Sequence, residues 1–208
     1  MSHALHRYGT VENLKNDFTL FARTSRWVNR EGGGPKLRKI LDIILSEKPL
    51  NFGSSKYGKN LMSGLDLGEF KTTLDDAVGV VCCFSDRESF KRVLTKLKEA
   101  QIGISIVVSG LIEEVFNIAK EIDLKPHTVF LSLGIHGNKE LLPDGKVLEI
   151  TSMCGHGLVA TKLVKSTIKK VKQGTMAVDD GAKLLAQPCP CGIFNTDRCQ
   201  QLLELYLP

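Results

Sequence analysis

The sequence predicts an α/β fold, with a mostly parallel sheet built from βαβ units and a helical C-terminal segment that contains several cysteines. Short apolar runs alternate with helical patterns through the middle of the chain, at a spacing of about 25 residues. These runs are continuously apolar, as in parallel strands buried on both faces. No linker composition divides the 208 residues. We therefore expect one domain over residues 1–208, with residues 152–208 as the helical segment.

The N-terminal third is predicted to contribute one strand and one helix. Residues 18–22 form an apolar run with strand character. Apolar side chains recur at helical spacing in residues 36–45, and Pro35 suits the first turn of a helix. Residues 51–71 are rich in Gly, Ser and Lys, which is typical of a long loop.

The middle of the chain contains the runs on which the predicted sheet depends. These runs are residues 78–84, 102–108 and 128–133. Helical stripes follow the first two runs, and Ser85 and Glu88 have the spacing of a capping box at the start of the first stripe. The strand–helix alternation therefore predicts successive βαβ units.

The last third is predicted to add one strand and three helices. The strand is residues 147–151, and the helices are residues 158–172, 176–186 and 197–206. Loops that follow the strands of a parallel sheet gather at one edge, where ligands bind. We therefore expect the loop after residue 151 to lie at such an edge.

Composition narrows the classes of function. Hydrophobic residues are 42% and charged residues 25% of the chain, which is ordinary globular composition. The net charge of +5 suits a small anionic metabolite, whereas aromatic residues are only 6% and do not interleave with the basic clusters, so nucleic-acid binding is not expected. No apolar stretch approaches the roughly 20 residues of a membrane span. The first residues lack the apolar core of a secretory signal, which predicts a cytoplasmic protein.

Six cysteines in a reducing compartment indicate metal binding or thiol chemistry rather than structural disulfides. Cys154 lies between a predicted strand and a predicted helix, among glycines that would let a ligand approach. The stretch Pro188-Cys189-Pro190-Cys191-Gly192 is a stiff turn that presents two sulfurs. We expect Cys154, Cys189 and Cys191 to be ligands of one metal site.

The other three cysteines are open to two interpretations. Cys199 either completes four ligands or packs on the buried face of the last helix, where its apolar neighbours share helical spacing with it. Cys82 and Cys83 are adjacent in a strand, so they point to opposite faces of the sheet and cannot both serve one site. Core packing is the simpler role for these two.

Two histidines and one glycine-rich stretch are further candidates. His156 and His136 both stand next to glycines in loops, where either could orient or protonate a substrate. The glycines Gly32, Gly33 and Gly34 precede a helix, so their backbone amides and the Lys36 side chain could bind an anion. A flexible connection is the alternative, since the stretch matches no phosphate-binding motif.

These residues together predict a cytoplasmic enzyme with a [4Fe–4S] cluster, or alternatively zinc, that acts on a small anionic metabolite. Three protein thiolates would leave one iron open as a Lewis acid for an elimination or desulfurisation, with His156 as the acid–base group. One alternative is a non-catalytic carrier of a metal or cluster in cofactor assembly, with Cys199 as a fourth ligand. The other is a metal-free thiol or persulfide sulfurtransferase.

Overall fold

The chain folds around one antiparallel sheet that lies between two layers of helices. The structure, a computed structural model, describes residues 7–54, 56–74 and 79–207. Val78, which opens one predicted strand, and residues 1–6, from which a cytoplasmic location is predicted, lie outside these ranges. The strands are β1 (Phe18–Arg23), β2 (Asn51–Ser54), β3 (Lys59–Asn60), β4 (Gly79–Phe84) and β5 (Ser105–Ser109). The helices are α1 (Val11–Leu14), α2 (Gly33–Ser46), α3 (Leu67–Thr73), α4 (Arg87–Ala100), α5 (Ile112–Glu121), α6 (Gly145–Thr151), α7 (Thr161–Lys172), α8 (Val178–Ala186) and α9 (Thr196–Glu204).

The prediction of a mostly parallel sheet is wrong. The strand order is β3-β2-β4-β1-β5, and every neighbouring pair is antiparallel. In the centre of the sheet, Leu20 of β1 lies opposite Cys82 of β4 on one side and opposite Val108 of β5 on the other. The sheet is therefore a ladder of antiparallel neighbours rather than a row of parallel βαβ units.

The error has a physical origin in the position of β1. β4 and β5 are both antiparallel to β1, so they run in the same direction and α4 connects them as a crossover helix. β1 lies between them, however, and supplies the hydrogen bonds that each would otherwise give the other. The same arrangement occurs around β4: β1 and β2 run in the same direction, α2 connects them, and β4 lies between them. This is the split β-α-β order of ferredoxin-like domains.

Two apolar cores explain why the strand β4 reads as continuously apolar. All six of its residues are buried, because helices cover both faces of the sheet. One core joins Cys82 and Leu20 to α2, α4 and α5. The other joins Val81 to α6, α7, α8 and α9, with Phe21 packed against it. The alternation of side chains along a strand sends neighbouring residues to different cores.

Three local predictions are also wrong. Residues 147–151 belong to the helix α6. Asp144 caps the start of this helix, because its carboxylate accepts a hydrogen bond from the amide of Val147 at 3.1 Å. Residues 128–133 form no strand and are exposed. Residues 51–71 contain β2, β3 and α3 instead of a long loop. A short apolar or polar run is compatible with a strand, a helix or a loop, and in each case its tertiary contacts determine which one forms.

The start of α4 is capped by Asp86 rather than by Ser85. The carboxylate of Asp86 accepts from the amide of Ser89 at 2.7 Å, whereas the hydroxyl of Ser85 donates to Asp197 of α9 at 2.5 Å. Ser85 therefore joins the sheet to the C-terminal helices. No helix among the described residues has the length and apolar character needed to cross a membrane.

Candidate functional site

Cys154, Cys189 and Cys191 lie together in the core between the sheet and the C-terminal helices. Each of the three is at most 1% exposed. The thiols of Cys154 and Cys191 donate hydrogen bonds to the sulfur of Cys189. The loop that follows α6 and the turn between α8 and α9 are thereby joined through their sulfur atoms.

Backbone amides surround the same sulfurs. The sulfur of Cys189 accepts from the amides of Cys191 and Gly192, and that of Cys154 accepts from the amides of His156 and Leu158. The sulfur of Cys191 accepts from the amide of Ile193 in the same way. N–H groups aimed at sulfur stabilise negative charge on it, and such hydrogen bonds tune metal–thiolate sites.

The pKa values of the three thiols are shifted in different directions. Hydrogen bonds from Cys154 and then from Cys191 hold the pKa of Cys189 well below its ordinary value. The pKa values of Cys154 and Cys191 are raised, first by their bonds to Cys189 and then by burial. The three groups therefore titrate as one unit.

Glycines place the cysteine turn directly on the sheet. Gly192 has φ +80°, and a β-carbon there would lie 2.3 Å from the carbonyl carbon of Phe52 in β2. Gly53, also in β2, would with a β-carbon contact the backbone of Lys59 at 2.6 Å and of Cys191 at 3.3 Å. Backbone contacts backbone here because neither residue has a side chain.

A buried asparagine holds the other end of the turn. The side-chain amide of Asn60 donates to the carbonyl of Ala186 at 3.1 Å and also to that of Cys189. Its side-chain oxygen accepts from the amide of Met62 at 2.7 Å, so both ends of the side chain are bonded. Asn60 thus ties the end of α8 to the strand β3. The sequence does not predict this role for Asn60, since a lone asparagine in a polar stretch carries no distinguishing pattern.

His156 lies on the solvent side of the three sulfurs. Its side chain is exposed, and its Nδ1 is 3.9 Å from the Sγ of Cys191. His136 is placed differently, on the exposed stretch after α5. Its hydrogen bond among the described residues joins Nε2 to the carbonyl of Leu133 at 2.9 Å. Of the two predicted acid–base residues, the structure brings His156 to the cysteines and not His136.

Cys83 is a fourth thiol on this side of the sheet. Its Sγ donates to the carbonyl of Phe194 at 3.4 Å, and Cys189 is among the groups that influence its pKa. Burial is the main reason that this pKa is raised. Cys82 points into the opposite core. The alternation of side chains along the strand is the signal that separates these two cysteines by face.

Cys199 lies in the same core but within α9. It is fully buried with Leu202 and Leu203 in one apolar cluster. Burial raises its pKa, and Arg198 is the charged group that opposes this effect. Its surroundings are those of a packed core residue.

The glycine-rich stretch lies away from the cysteines. Gly32 has φ +66° and begins α2, and Gly33 packs where a β-carbon would lie 2.7 Å from the side chain of Thr24. Lys36 is exposed on the same helix. Because α2 packs on the opposite face of the sheet, the stretch and the cysteines do not form one site.

The donor set nearest to a metal site is therefore Cys154, Cys189 and Cys191, with His156 beside them. In the ranges that the structure describes, no three His, Cys, Asp or Glu side chains stand in a ready arrangement for a metal ion. The thiols point at one another instead, which is how protonated sulfurs satisfy themselves in a buried space.

Comparison with known proteins gives no further guide to function. The chain matches no protein-family model, no curated protein and no solved structure.

Proposed function

We propose that the protein binds one thiophilic metal ion, with zinc(II) as the favoured ion, through Cys154, Cys189 and Cys191, and that His156 is the fourth ligand. The observation that carries this proposal is that the buried sulfur of Cys189 interacts with the thiols of both Cys154 and Cys191, and that all three sulfurs accept backbone amides. Three thiolates and one imidazole are a common ligand set for zinc.

The position of His156 supports its role as the fourth ligand. Zn–S bonds of about 2.3 Å and Zn–N bonds of about 2.0 Å in a tetrahedron place sulfur and nitrogen roughly 3.6 Å apart. The separation of His156 Nδ1 and Cys191 Sγ is 3.9 Å. Small side-chain rotations would therefore turn the four donors towards a common centre. A metal ion at that centre would replace the protons of the thiols.

The compactness of the trio favours one ion over a cluster. Thiolates bound to different irons of a [4Fe–4S] cube stand farther apart than thiolates on a single ion, because the cube separates them. Sulfurs in hydrogen-bonding contact would have to move apart to hold the cube. The sequence-based prediction of a [4Fe–4S] enzyme is thus the less favoured alternative, and metal analysis tests it directly.

Burial also favours metal binding over free thiol chemistry. A nucleophilic or sulfur-carrying thiol needs access to its substrate. The three sulfurs are at most 1% exposed, and only His156 of the proposed ligands is exposed. A bound ion would join the loop after α6 to the turn between α8 and α9, so its first effect would be to stabilise this layer of the protein.

Metal analysis of protein purified without oxygen tests the proposal. We expect one zinc ion per chain, and cobalt(II) substitution should produce intense thiolate-to-metal absorption. Cys154→Ser, Cys189→Ser and Cys191→Ser should each lose the ion, and His156→Ala should weaken binding at least about tenfold. Cys199→Ala and Cys82→Ala are controls in buried positions, and both should retain the ion.

Two results would contradict the single-ion site. One is a reduced, folded chain that takes up neither zinc nor cobalt, which would leave metal-free thiol chemistry. The other is iron and sulfide in the ratio of a [4Fe–4S] cluster with a brown absorption band, which would return the cluster to first place.

A further inference from the structure

We propose that the protein forms a symmetric homodimer in which residues 128–133 of each copy pair along the free edge of β5 in the other copy. This proposal does not depend on the cysteine site. It rests on an unpaired sheet edge and an unpaired apolar segment that are both present in each chain.

The strand β5 is the longer of the two edge strands of the sheet, the other being the two-residue strand β3. It pairs with β1 on one side, and no described residue pairs with its other side. Its sequence is Ser-Ile-Val-Val-Ser, without the charged residue, proline or glycine that commonly protects an edge from association. All five of its residues keep some exposure, although Ile106 and Val108 pack against the first core on one face. A free edge of this kind accepts another extended chain.

The segment that follows α5 has the composition of a strand but no partner. Residues 128–133 read Thr-Val-Phe-Leu-Ser-Leu, rich in strand-forming side chains. Phe130 is 69% exposed and Leu133 is 88% exposed. Exposure of several such residues in one stretch is typical of an interaction surface.

The segment and α5 form one continuous apolar surface. Val129 lines a cavity together with Phe116, Ala119 and Leu124. Ile112 and Phe116 of α5 are each about 40% exposed, on the helix that directly follows β5. An incoming strand on β5 would therefore also contact this face of α5.

A second copy is the occupant that this surface fits best. Each chain provides the β5 edge and one strand-like segment, and the segment does not pair with the β5 edge of its own chain. An exchange between two copies pairs both β5 edges with both segments about one twofold axis, and it is closed with respect to these two surfaces.

The available area is sufficient for a dimer. A stable interface buries at least about 1,000 Å² in total. The segment, α5 and Ile135 just beyond the segment expose seven large apolar side chains: Ile112, Phe116, Val129, Phe130, Leu131, Leu133 and Ile135. Two copies double that number, and roughly 40–80 Å² from each side chain gives roughly 560–1,120 Å², a range that reaches this minimum.

Sedimentation velocity over a wide range of concentrations tests the dimer. We expect a monomer–dimer equilibrium in the wild-type protein. Leu133→Lys should weaken it about 10- to 100-fold, because the new charge must be buried at the interface. Val28→Lys is the matched control, since Val28 is 80% exposed and lies outside the surface; it should leave the equilibrium unchanged.

Hydrogen exchange locates the contact. Amides of residues 105–109 and 128–133 should be protected at concentrations that give dimer and should exchange freely in the monomer. A chain that stays monomeric throughout would overturn the proposal. So would a dimer that Leu133→Lys does not weaken, or protection of residues 128–133 in the monomer, which would show that the segment is covered within its own chain.

Discussion

At the scale of single residues, two residues outside the cysteines fix the position of the cysteine turn. Gly192 lets the turn approach β2, and Asn60 fixes the carbonyl of Cys189. Asn60 acts on position alone, whereas Gly192 also donates its backbone amide to the sulfur of Cys189. The geometry of the sulfurs is therefore set by residues that a search for metal ligands does not consider.

Gly192→Ala should be more destabilising than an ordinary substitution of a left-handed glycine. Any L residue at φ +80° costs about 1–2 kcal/mol, and the new β-carbon would also meet the backbone of Phe52 at 2.3 Å. Displacing the sheet or the turn adds about 1–3 kcal/mol. We expect a total loss of about 3 kcal/mol in the free energy of unfolding, measured by urea denaturation.

Gly174→Ala provides the control for that experiment. Gly174 has φ +67° after the end of α7, and a β-carbon there would meet nothing within 4 Å. The loss should be about 1 kcal/mol, from backbone conformation alone. Equal losses for the two variants would mean that the close approach of Gly192 to β2 has no energetic consequence.

At the scale of elements, the sequence predicts long amphipathic helices better than it predicts strand pairing. The helices α2, α4, α7 and α8 and the strands β1 and β4 are present near their predicted positions. Local periodicity determines a helix, because its hydrogen bonds lie within the segment. The pairing of β1 with both β4 and β5 joins residues far apart in sequence, and no local pattern records it. Residues 147–151 show the related limit, since five residues do not distinguish a strand from a buried helix.

The candidate site shows the same division. The residue types and the stiffness of the cysteine turn are visible in the sequence, so Cys154, Cys189 and Cys191 could be proposed together. Their contact depends on how α7 and α8 fold back between them, which the sequence does not record. Alternation along β4 separates Cys83 from Cys82 in the sequence but does not say which of the two faces the C-terminal helices. The role of Asn60 could not be assigned, because it depends on the helices that cover this face of the sheet.

The packing of α2 against α4 predicts a measurable pH dependence. Hydrogen bonds from Lys96 and then from Arg92 lower the pKa of Glu47, which follows the last turn of α2. A carboxylate with a lowered pKa in the folded state stabilises the protein above its unfolded pKa, and this stabilisation is lost as the pH falls through the folded pKa. Glu47→Gln should therefore cost about 0.5–1 kcal/mol at neutral pH and progressively less in acid.

Denaturation of both proteins between neutral and acidic pH checks this expectation. Glu99→Gln is the control, because Glu99 is exposed on α4 and makes no ion pair among the described residues. It should have little effect at either pH. A Glu47→Gln penalty that did not shrink in acid would show that the side chain acts through packing rather than through its charge.

At the scale of the whole molecule, one sheet separates two cores with different roles. The core that contains α2 and α4 is apolar, and in it these two crossover helices pack against the strands. The other contains the cysteines and reaches the start of the chain through a buried network of charges. This network links Arg198 of α9 to Asp17, the residue before β1, and neither residue is part of the first core.

Asp17 is the centre of that network, and its removal should affect the whole fold. Its carboxylate accepts from Arg7 at 2.6 Å and from Arg198 at 3.2 Å, and all three side chains are at least 94% buried. Asp17→Ala would leave two buried guanidinium groups without their common counter-ion, so we expect a loss of about 3–5 kcal/mol in the free energy of unfolding. Asp179→Ala removes an exposed partner of Lys183 and should cost less than about 1 kcal/mol, most of it screened by salt. If urea denaturation gave similar losses for both variants, or if salt removed the Asp17 effect, the network would be a surface feature rather than the link between the two ends of the chain.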